Sequence, residues 1–174
     1  MSDRCFSLEP FPNSNFPSSL KLTGKIDRTD NRLEIEYLLL GNLADIIIPK
    51  PVKLPDRKQT CLEFFLGIKN SSQYWEFNLS PSEDWNIYHF EDYRQGMQEE
   101  MAFNSLPFIV ESKSNSLQLI LKLDLNQIVS KEKSLEVGIS TVIKSTDKNI
   151  SYWALTHHDS QANFHHRDSF AIEI

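Results

Sequence analysis

The sequence has little of the material from which several common protein classes are built. It contains two cysteines and five glycines among 174 residues. No apolar run approaches the roughly 20 residues of a membrane-spanning helix. Cys5 and Cys61 are too few for a disulfide framework, and residues 1–8 contain no run of signal-peptide length. We therefore expect a reduced, cytoplasmic protein without disulfides.

Positive charge is also scarce. The formal net charge is −6, with 18 Lys and Arg against 24 Asp and Glu, and the sequence pI is about 5.4. No cluster of Lys or Arg stands out, so the charge argues against nucleic acid or an anionic membrane as partner. We expect a monomer or homodimer whose partner is a small molecule or a protein.

The motifs of the common enzyme classes are missing. The few, scattered glycines form no G-x-G-x-x-G or Walker sequence, and there is no G-x-S-x-G and no C-x-x-C-H. Glu63 and Glu76 lie on neighbouring predicted strands, and paired carboxylates are glycosidase material. No acid has a recognisable environment that would raise its pKa. We therefore predict a protein that is not an enzyme, without catalytic residues and without a required cofactor.

Aromatic side chains are concentrated in residues 61–97, which hold two of the three Trp, three of the five Tyr and four of the eleven Phe. Residues 61–68 are apolar on both faces, as in a strand buried on both sides. Residues 74–79 and 85–90 follow as further strands after polar turns. This stretch is the predicted centre of the fold.

Alternation of apolar and polar residues continues along the rest of the chain. It is clearest over residues 20–39, in the leucine stripe 117–125 and in residues 135–143. We expect the last two to share a core. Residues 43–48 are expected as a short strand or edge segment, residues 98–104 as a loop, and residues 170–174 as the last strand. About ten short strands and no amphipathic helix of ordinary length predict an all-β, antiparallel β-sandwich. The sandwich is expected to be a single domain over residues 1–174, with residues 1–19 as a Pro-, Ser- and Asn-rich arm.

A candidate binding site follows from the face that Glu63 shares with hydrophobic neighbours. An unpaired buried carboxylate is costly, so Glu63 must be paired or must line a wet cavity. The same face is expected to carry Phe65, Tyr74, Glu76 and Asn78, joined by Tyr88, Phe90 and Trp85, with Tyr93 and Arg94 at its rim. Aromatic rings beside carboxylate, amide and guanidinium groups suit a sugar or another polyol. The candidate ligand-binding residues are Glu63, Glu76, Asn78, Trp85, Tyr88, Tyr93, Arg94 and Trp153.

The same residues have a purely structural explanation. A sandwich core needs aromatics, Trp153 is compatible with either a core or a stacking role, and Arg94 is placed to pair with Glu63 or Glu76. Arg57 and Lys58, in a Pro-rich loop, are placed to overhang a site. Both interpretations stay open.

Histidines give a third hypothesis. His157, His165 and His166 lie in one loop with Asp159 and Asp168, and such side chains can ligate a metal or haem iron. Their spacing matches no established metal motif. Adjacent strand residues also point to opposite faces, so metal or haem binding through residues 157–166 is a weaker alternative.

Two stretches carry a family resemblance. They are E-F-N-L-S-P-S-E-D-W-N-I-Y-H-F-E-D-Y-R-Q-G-M and, near the C-terminus, Y-W-A-L-T-H with F-H-H-R-D-S-F-A-I-E-I. They resemble DOMON-like domains, relatives of the family 9 carbohydrate-binding modules, over nearly the whole chain. The resemblance implies a jelly-roll-like sandwich with a ligand pocket, in a superfamily whose members bind sugars or haem. It implies a non-catalytic module for a sugar-like molecule, with a structural or protein-interaction domain as the alternative.

Overall fold

The computed structural model describes residues 4–49 and 59–174, which form twelve strands and three short 3₁₀ helices. The strands are β1 (Arg4–Pro10), β2 (Lys21–Thr29), β3 (Arg32–Leu40), β4 (Cys61–Ile68), β5 (Tyr74–Leu79), β6 (Trp85–Phe90), β7 (Gln98–Glu99), β8 (Phe108–Lys113), β9 (Ser116–Asp124), β10 (Leu135–Lys144), β11 (Ile150–Ala154) and β12 (Ile172–Glu173). Within this part of the chain, no helix has the length and apolar character needed to cross a membrane.

The strands form two antiparallel layers that share β1. The first layer has the order β8-β9-β3-β2-β1, and the second continues from β1 through β11-β10-β4-β5-β6-β7. Residues 4–8 of β1 pair with β2, whereas Glu9 and Pro10 pair with β11, so one strand passes from layer to layer. β12 pairs with β10 beyond the end of β11. The predicted all-β, antiparallel β-sandwich is confirmed.

The main core lies between the two layers. It takes the leucine stripe of β9 from one layer and the inward side chains of β10 from the other. Leu121 of β9 is 0% exposed and Ile139 of β10 is 1% exposed. The prediction that these two stripes share a core is confirmed. Removing this apolar surface from water is the main driving force for closing the sandwich.

Residues 61–97 form the central strands at the predicted bounds, as β4, β5 and β6. Their register places Phe65 opposite Glu76, and Glu76 opposite Tyr88. Every residue from Cys61 to Gly67 and from Tyr74 to Leu79 is buried, although alternate residues point to opposite sides of the layer. Both faces of this part of the sheet are therefore covered.

The structure corrects the prediction that residues 1–19 form an arm. Arg4–Pro10 is a regular strand, with Phe6 and Leu8 buried in the main core instead of lying in surface grooves. The pattern F-S-L within it has the alternation of a strand, which the flanking prolines and serines hide. Phe16, further along, does pack edge-on against Trp153.

Three other segments also differ from expectation. Leu43–Asp45 is a 3₁₀ helix because the Asn42 side chain caps it, and only Ile46 forms a bridge to a strand-end residue. Gln98–Glu99 pairs with β6 as a two-residue strand. The expected last strand is reduced to Ile172–Glu173, after a 3₁₀ helix over Arg167–Ser169. Arg57 and Lys58 lie outside the described residues.

Candidate ligand-binding site

The outer face of the second layer, the side turned away from the main core, carries most of the predicted site residues. Alternation along β4, β5 and β6 brings the polar and aromatic side chains to this side, and β10 and β11 extend it. The residues of this face include Glu63, Phe65, Tyr74, Glu76, Asn78, Asn86, Tyr88, Phe90, Ser140, Val142 and Tyr152. Residues 155–171, here called the covering segment, pack over it.

A second, smaller apolar cluster joins the covering segment to this face. Phe65, Tyr74 and Phe90 of the sheet are buried with Phe170 of the covering segment. The Tyr74 and Phe90 rings are stacked with centroids 4.7 Å apart. The His165 ring stands edge-on to Phe65, Tyr74 and Phe90, at centroid distances of 5.1, 5.8 and 5.2 Å. Aromatic packing of this kind fixes the segment against the sheet.

Two glycines allow the covering segment to approach closely. A Cβ on Gly138 would lie 2.8 Å from the Phe170 ring, and one on Gly67 would lie 2.4 Å from the Arg167 guanidinium. Arg167 uses this space to donate to the Ile68 carbonyl at 2.7 Å and to the Glu136 carboxylate. Glycine at these strand positions therefore has a packing reason.

Buried polar groups form a connected chain beneath the covering segment. The Arg94 backbone N–H lies 3.1 Å from the Tyr74 hydroxyl, which lies 2.9 Å from Nδ1 of His165. His165 Nε2 is 3.6 Å from Oε2 of Glu76, and Asn78 Nδ2 donates to Oε1 of the same carboxylate at 3.1 Å. Burial is the main cause that raises the pKa of Tyr74, so its hydroxyl stays protonated above the ordinary range.

A cavity of about 260 Å³ lies between the outer face and the covering segment. Its floor comes from the sheet and its rim from two loops. The lining residues are Glu63, Phe65, Val142 and Tyr152 in the floor, and Arg94, Ala162, Phe164 and His165 at the rim. The Glu63 side chain is 2% exposed, and Ser140 Oγ donates to its Oε2 at 3.4 Å. Glu63 therefore lines a cavity, one of the two environments that the sequence allowed for it.

Arg94 lies at the rim but is not paired as the sequence suggested. It is exposed, its φ of 53° is in the left-handed region, and its Nη2 donates to Asn163 Oδ1 at 2.9 Å. Within residues 4–49 and 59–174, no ion pair joins it to Glu63 or Glu76. His165 occupies the position beside Glu76 that the arginine was expected to take.

Two of the candidate residues point away from this site. Trp85 lies opposite Leu79 on the inner face and packs against the main core. It cannot share a face with Tyr88, because residues three apart on a strand point to opposite sides. Trp153 is buried in the main core, where its Nε1 donates to Ser151 Oγ.

The remaining candidates flank the cavity. Glu76 and Asn78 are buried beside it in the polar chain, and Tyr88 packs against the aromatic cluster. Tyr93 is 47% exposed, and its hydroxyl accepts a hydrogen bond from Asn163. The structure thus brings Glu63 and Arg94 to the cavity itself and leaves these four around it.

The three histidines of the metal and haem hypothesis lie in different surroundings. His157 Nε2 is 2.9 Å from the Glu9 carbonyl, His166 stacks on His158 at 5.4 Å, and His165 is buried against the sheet. Among the described residues, no three His, Cys, Asp or Glu side chains are grouped in a way that suits a metal ion.

Sequence reasoning missed four lining residues. Tyr152 and Val142 had a usable signal, because each alternates with core neighbours on its strand and must point outward. Ala162 and Phe164 had none, because they lie in irregular chain where no periodicity identifies the inward side. Tyr74 was assigned to the correct face, but its link to His165 depends on how the covering segment folds back.

No protein-family model and no curated protein sequence matches this chain. Solved structures do. A protein from Bacteroides uniformis ATCC 8492, described as a candidate carbohydrate-binding protein, aligns with a TM-score of 0.71 and 10% identity over 95% of this chain and 83% of its own.

A family 9 carbohydrate-binding module from Caldicellulosiruptor kristjanssonii, solved with glucose, aligns with a TM-score of 0.58 and 10% identity over 95% of this chain and 81% of its own. A structure of such a module from the same organism, solved with cellotriose, aligns with a TM-score of 0.53 and 8% identity over 88% of this chain and 74% of its own. At these identities the likeness is one of fold, and the fold of this chain is that of the family 9 carbohydrate-binding β-sandwiches.

Proposed function

We propose that this chain is a non-catalytic binding module for a sugar or sugar-like small molecule, held in the cavity under the covering segment. The observation that carries the proposal is a cavity whose lining combines the buried carboxylate of Glu63 with the rings of Phe65 and Phe164. A carboxylate accepts hydrogen bonds from hydroxyl groups, and Glu63 lies where a ligand in the cavity can donate to it.

The chemistry of the lining suits a polyol. Phe65, Phe164 and the ring of Tyr152 offer apolar surfaces to the C–H faces of a sugar ring. Glu63 accepts hydrogen bonds from hydroxyl groups. Nη2 of Arg94 donates one hydrogen bond to Asn163, and the other N–H groups of its planar guanidinium can donate to ligand oxygens. Acceptor and donor thus lie on different sides of one cavity, which orients a ligand.

The cavity also limits the size of the ligand. Its volume of about 260 Å³ is near the lower end of the range for small-molecule sites, which starts at about 300 Å³. One sugar ring suits it better than a long chain. The fold likeness to modules solved with glucose and with cellotriose supports this ligand class.

Catalysis is not part of the proposal, for a geometric reason. Glycoside hydrolysis uses two carboxyl groups that flank one bond of the substrate. Glu63 lines the cavity, but Glu76 is 0% exposed and lies behind His165, bonded to Asn78. The two carboxylates do not face one substrate.

Isothermal titration calorimetry against monosaccharides and short oligosaccharides tests the proposal. Wild type is expected to bind at least one member saturably. Glu63→Gln keeps the shape but loses the charge, and is expected to weaken binding about tenfold or more. Glu111→Gln, an exposed change on β8, is the matched control and should bind as wild type does. Absence of binding to every sugar at millimolar concentration would rule out the proposal.

One observation favours the alternative of a structural or protein-interaction domain. The aromatic cluster of the outer face is closely packed, and the loop beside it exposes Tyr93, Met97 and Met101. On this alternative the cavity is a packing defect. Filling it with Ala162→Leu would then raise the melting temperature, whereas a binding pocket predicts loss of sugar affinity from the same change.

A further inference from the structure

We propose that the Tyr74 hydroxyl is a positioning group, which clamps together the two loops that form the rim of the cavity. One is the loop of residues 91–97 with Arg94, and the other is the part of the covering segment that carries Phe164 and His165. Its effect on ligand affinity rests on the proposed function, but its effect on the two loops does not.

The position of Tyr74 is fixed from the sheet side. It lies on β5, is 2% exposed, and its ring stacks on Phe90 of the neighbouring strand. The side chain is therefore rigid, and only its oxygen reaches the loops. Tyr74 is not among the residues that line the cavity. Its hydroxyl influences a ligand through Arg94 and His165, which do line it.

The hydrogen bonds around this oxygen have one consistent direction. A backbone N–H can only donate, so Tyr74 accepts from Arg94. We assign the phenol proton to Nδ1 of His165, because the opposite tautomer of a neutral ring would direct the Nε2 lone pair at the Glu76 carboxylate. Neutral His165 consequently carries its proton on Nε2, directed to the carboxylate of Glu76. One hydroxyl thus fixes the loop of Arg94 and the ring orientation of His165 together.

The clamp matters because the other hydrogen bonds that join the two loops to each other are exposed. Arg167 and Phe170 hold the C-terminal end of the covering segment, beside Gly67 and Gly138. At the rim, the side-chain bond from Arg94 to Asn163 is exposed. Such a bond contributes little, because water competes for both partners. Arg94 is also held at a positive φ, a conformation that neighbouring contacts must maintain.

Tyr74→Phe tests the clamp, because it removes one oxygen and keeps the ring. We expect faster amide hydrogen exchange in residues 91–97 and 157–165 together, and sugar affinity lower by about tenfold. Nitrogen NMR of wild type should find His165 as the neutral tautomer with its proton on Nε2, and Tyr74→Phe should mix the tautomers. Thr141→Val is the matched control, because it removes a buried hydroxyl that bonds only within β10. It should leave exchange in both loops unchanged.

The outcomes separate this inference from the proposed function. Unchanged exchange in both loops of Tyr74→Phe would overturn the clamp, whether or not a sugar binds. Faster exchange with unchanged affinity would overturn its positioning role. If wild type binds no sugar, the proposed function fails while the exchange result still decides the clamp. If Tyr74→Phe does not fold, His165→Ala replaces it: exchange should rise in residues 157–165 while the Arg94 amide keeps its acceptor, and equal loss in both loops would contradict the inference.

Discussion

The two faces of β4 and β5 are equally buried but chemically different. The inner face contributes Phe64, Leu66 and Phe77 to the main core, without a polar side chain between them. The outer face contributes Glu63, Glu76 and other polar groups, hydrogen-bonded beneath the covering segment. Burial alone therefore does not separate a face that stabilises the fold from one that is suited to a ligand.

The difference lies in what each face requires of its partner. Apolar surface needs only another apolar surface, so the inner face is satisfied by the opposite layer. Buried carboxylates need specific partners in specific places, and here these are Ser140 and Asn78 of the sheet and His165 of the covering segment. Small shifts in geometry should therefore disturb the outer face most. Substitutions that add charge or change side-chain volume should disturb the inner face most.

The largest effect is expected from placing a charge in the main core. Leu121→Asp buries an unpaired carboxylate at a 0% exposed position, at a cost of several kcal/mol, roughly. We expect the cooperative thermal transition to disappear in circular dichroism. Ile109→Asp, a matched change at a side chain that is 64% exposed, should melt as wild type does. A Leu121→Asp protein that melts near wild type would mean that the stripe is wrongly assigned to the core.

A smaller effect is expected at the outer face from one added methyl group. Gly138→Ala places a Cβ 2.8 Å from the Phe170 ring, so the covering segment must shift, at about 1–3 kcal/mol. Sugar affinity should fall more than the melting temperature suggests, because the rim moves while the main core stays intact. Calorimetry and thermal melting of the same samples measure the two effects. Equal sugar affinity of wild type and Gly138→Ala would show that the position of the covering segment does not affect binding.

Alkaline pH should test the contribution of Tyr37, a titratable side chain buried in the main core. Burial, together with the charge of Glu63, raises the pKa of Tyr37 well above its ordinary value. The unfolded chain therefore ionises this group first, near pH 10, and stability falls as pH rises above that value. Denaturant titrations between pH 8 and 11 are the measurement. In Tyr37→Phe, the free energy of unfolding should fall less steeply with rising pH. If its slope against pH is unchanged, other groups cause the loss of stability.

The smallest effect on stability is expected at the rim. Arg94→Ala removes an exposed side chain with one hydrogen bond to Asn163, so the free energy of unfolding should change by less than about 1 kcal/mol. Sugar affinity should nevertheless fall, and Arg94→Lys should restore it only in part, because a lysine lacks the planar fork. A loss of several kcal/mol in unfolding would point instead to the buried pairing with Glu63 or Glu76 that the sequence suggested.

The fold was largely predictable because its signal is local. The apolar run of residues 61–68 and the polar turns after it gave β4, β5 and β6 their bounds. The two-residue period of a strand then assigned Glu63, Tyr74 and Glu76 to one face. Trp85 was assigned to the wrong face. The two-residue period of a strand separates it from Tyr88, three positions later, and places it on the inner face.

The site was predictable only in part because its rim, four of the eight lining residues, comes from two loops without periodicity. Nothing in the local sequence indicates that His165 turns inward, or that Arg94 bonds to Asn163 rather than to a carboxylate. Those contacts follow from the folded path of residues 155–171 and from the room left by Gly67 and Gly138. Such long-range contacts require a three-dimensional structure.

Amide NMR titration of the protein with a binding sugar tests the central claim most directly, namely that the outer face, and not the inner one, takes a ligand. Saturable shifts are predicted for Glu63, Val142, Tyr152 and Phe164, around the cavity of about 260 Å³. Amides of the opposite layer, such as those of β9, should stay unchanged. Saturable shifts confined to another surface, or none with any sugar at millimolar concentration, would contradict the account.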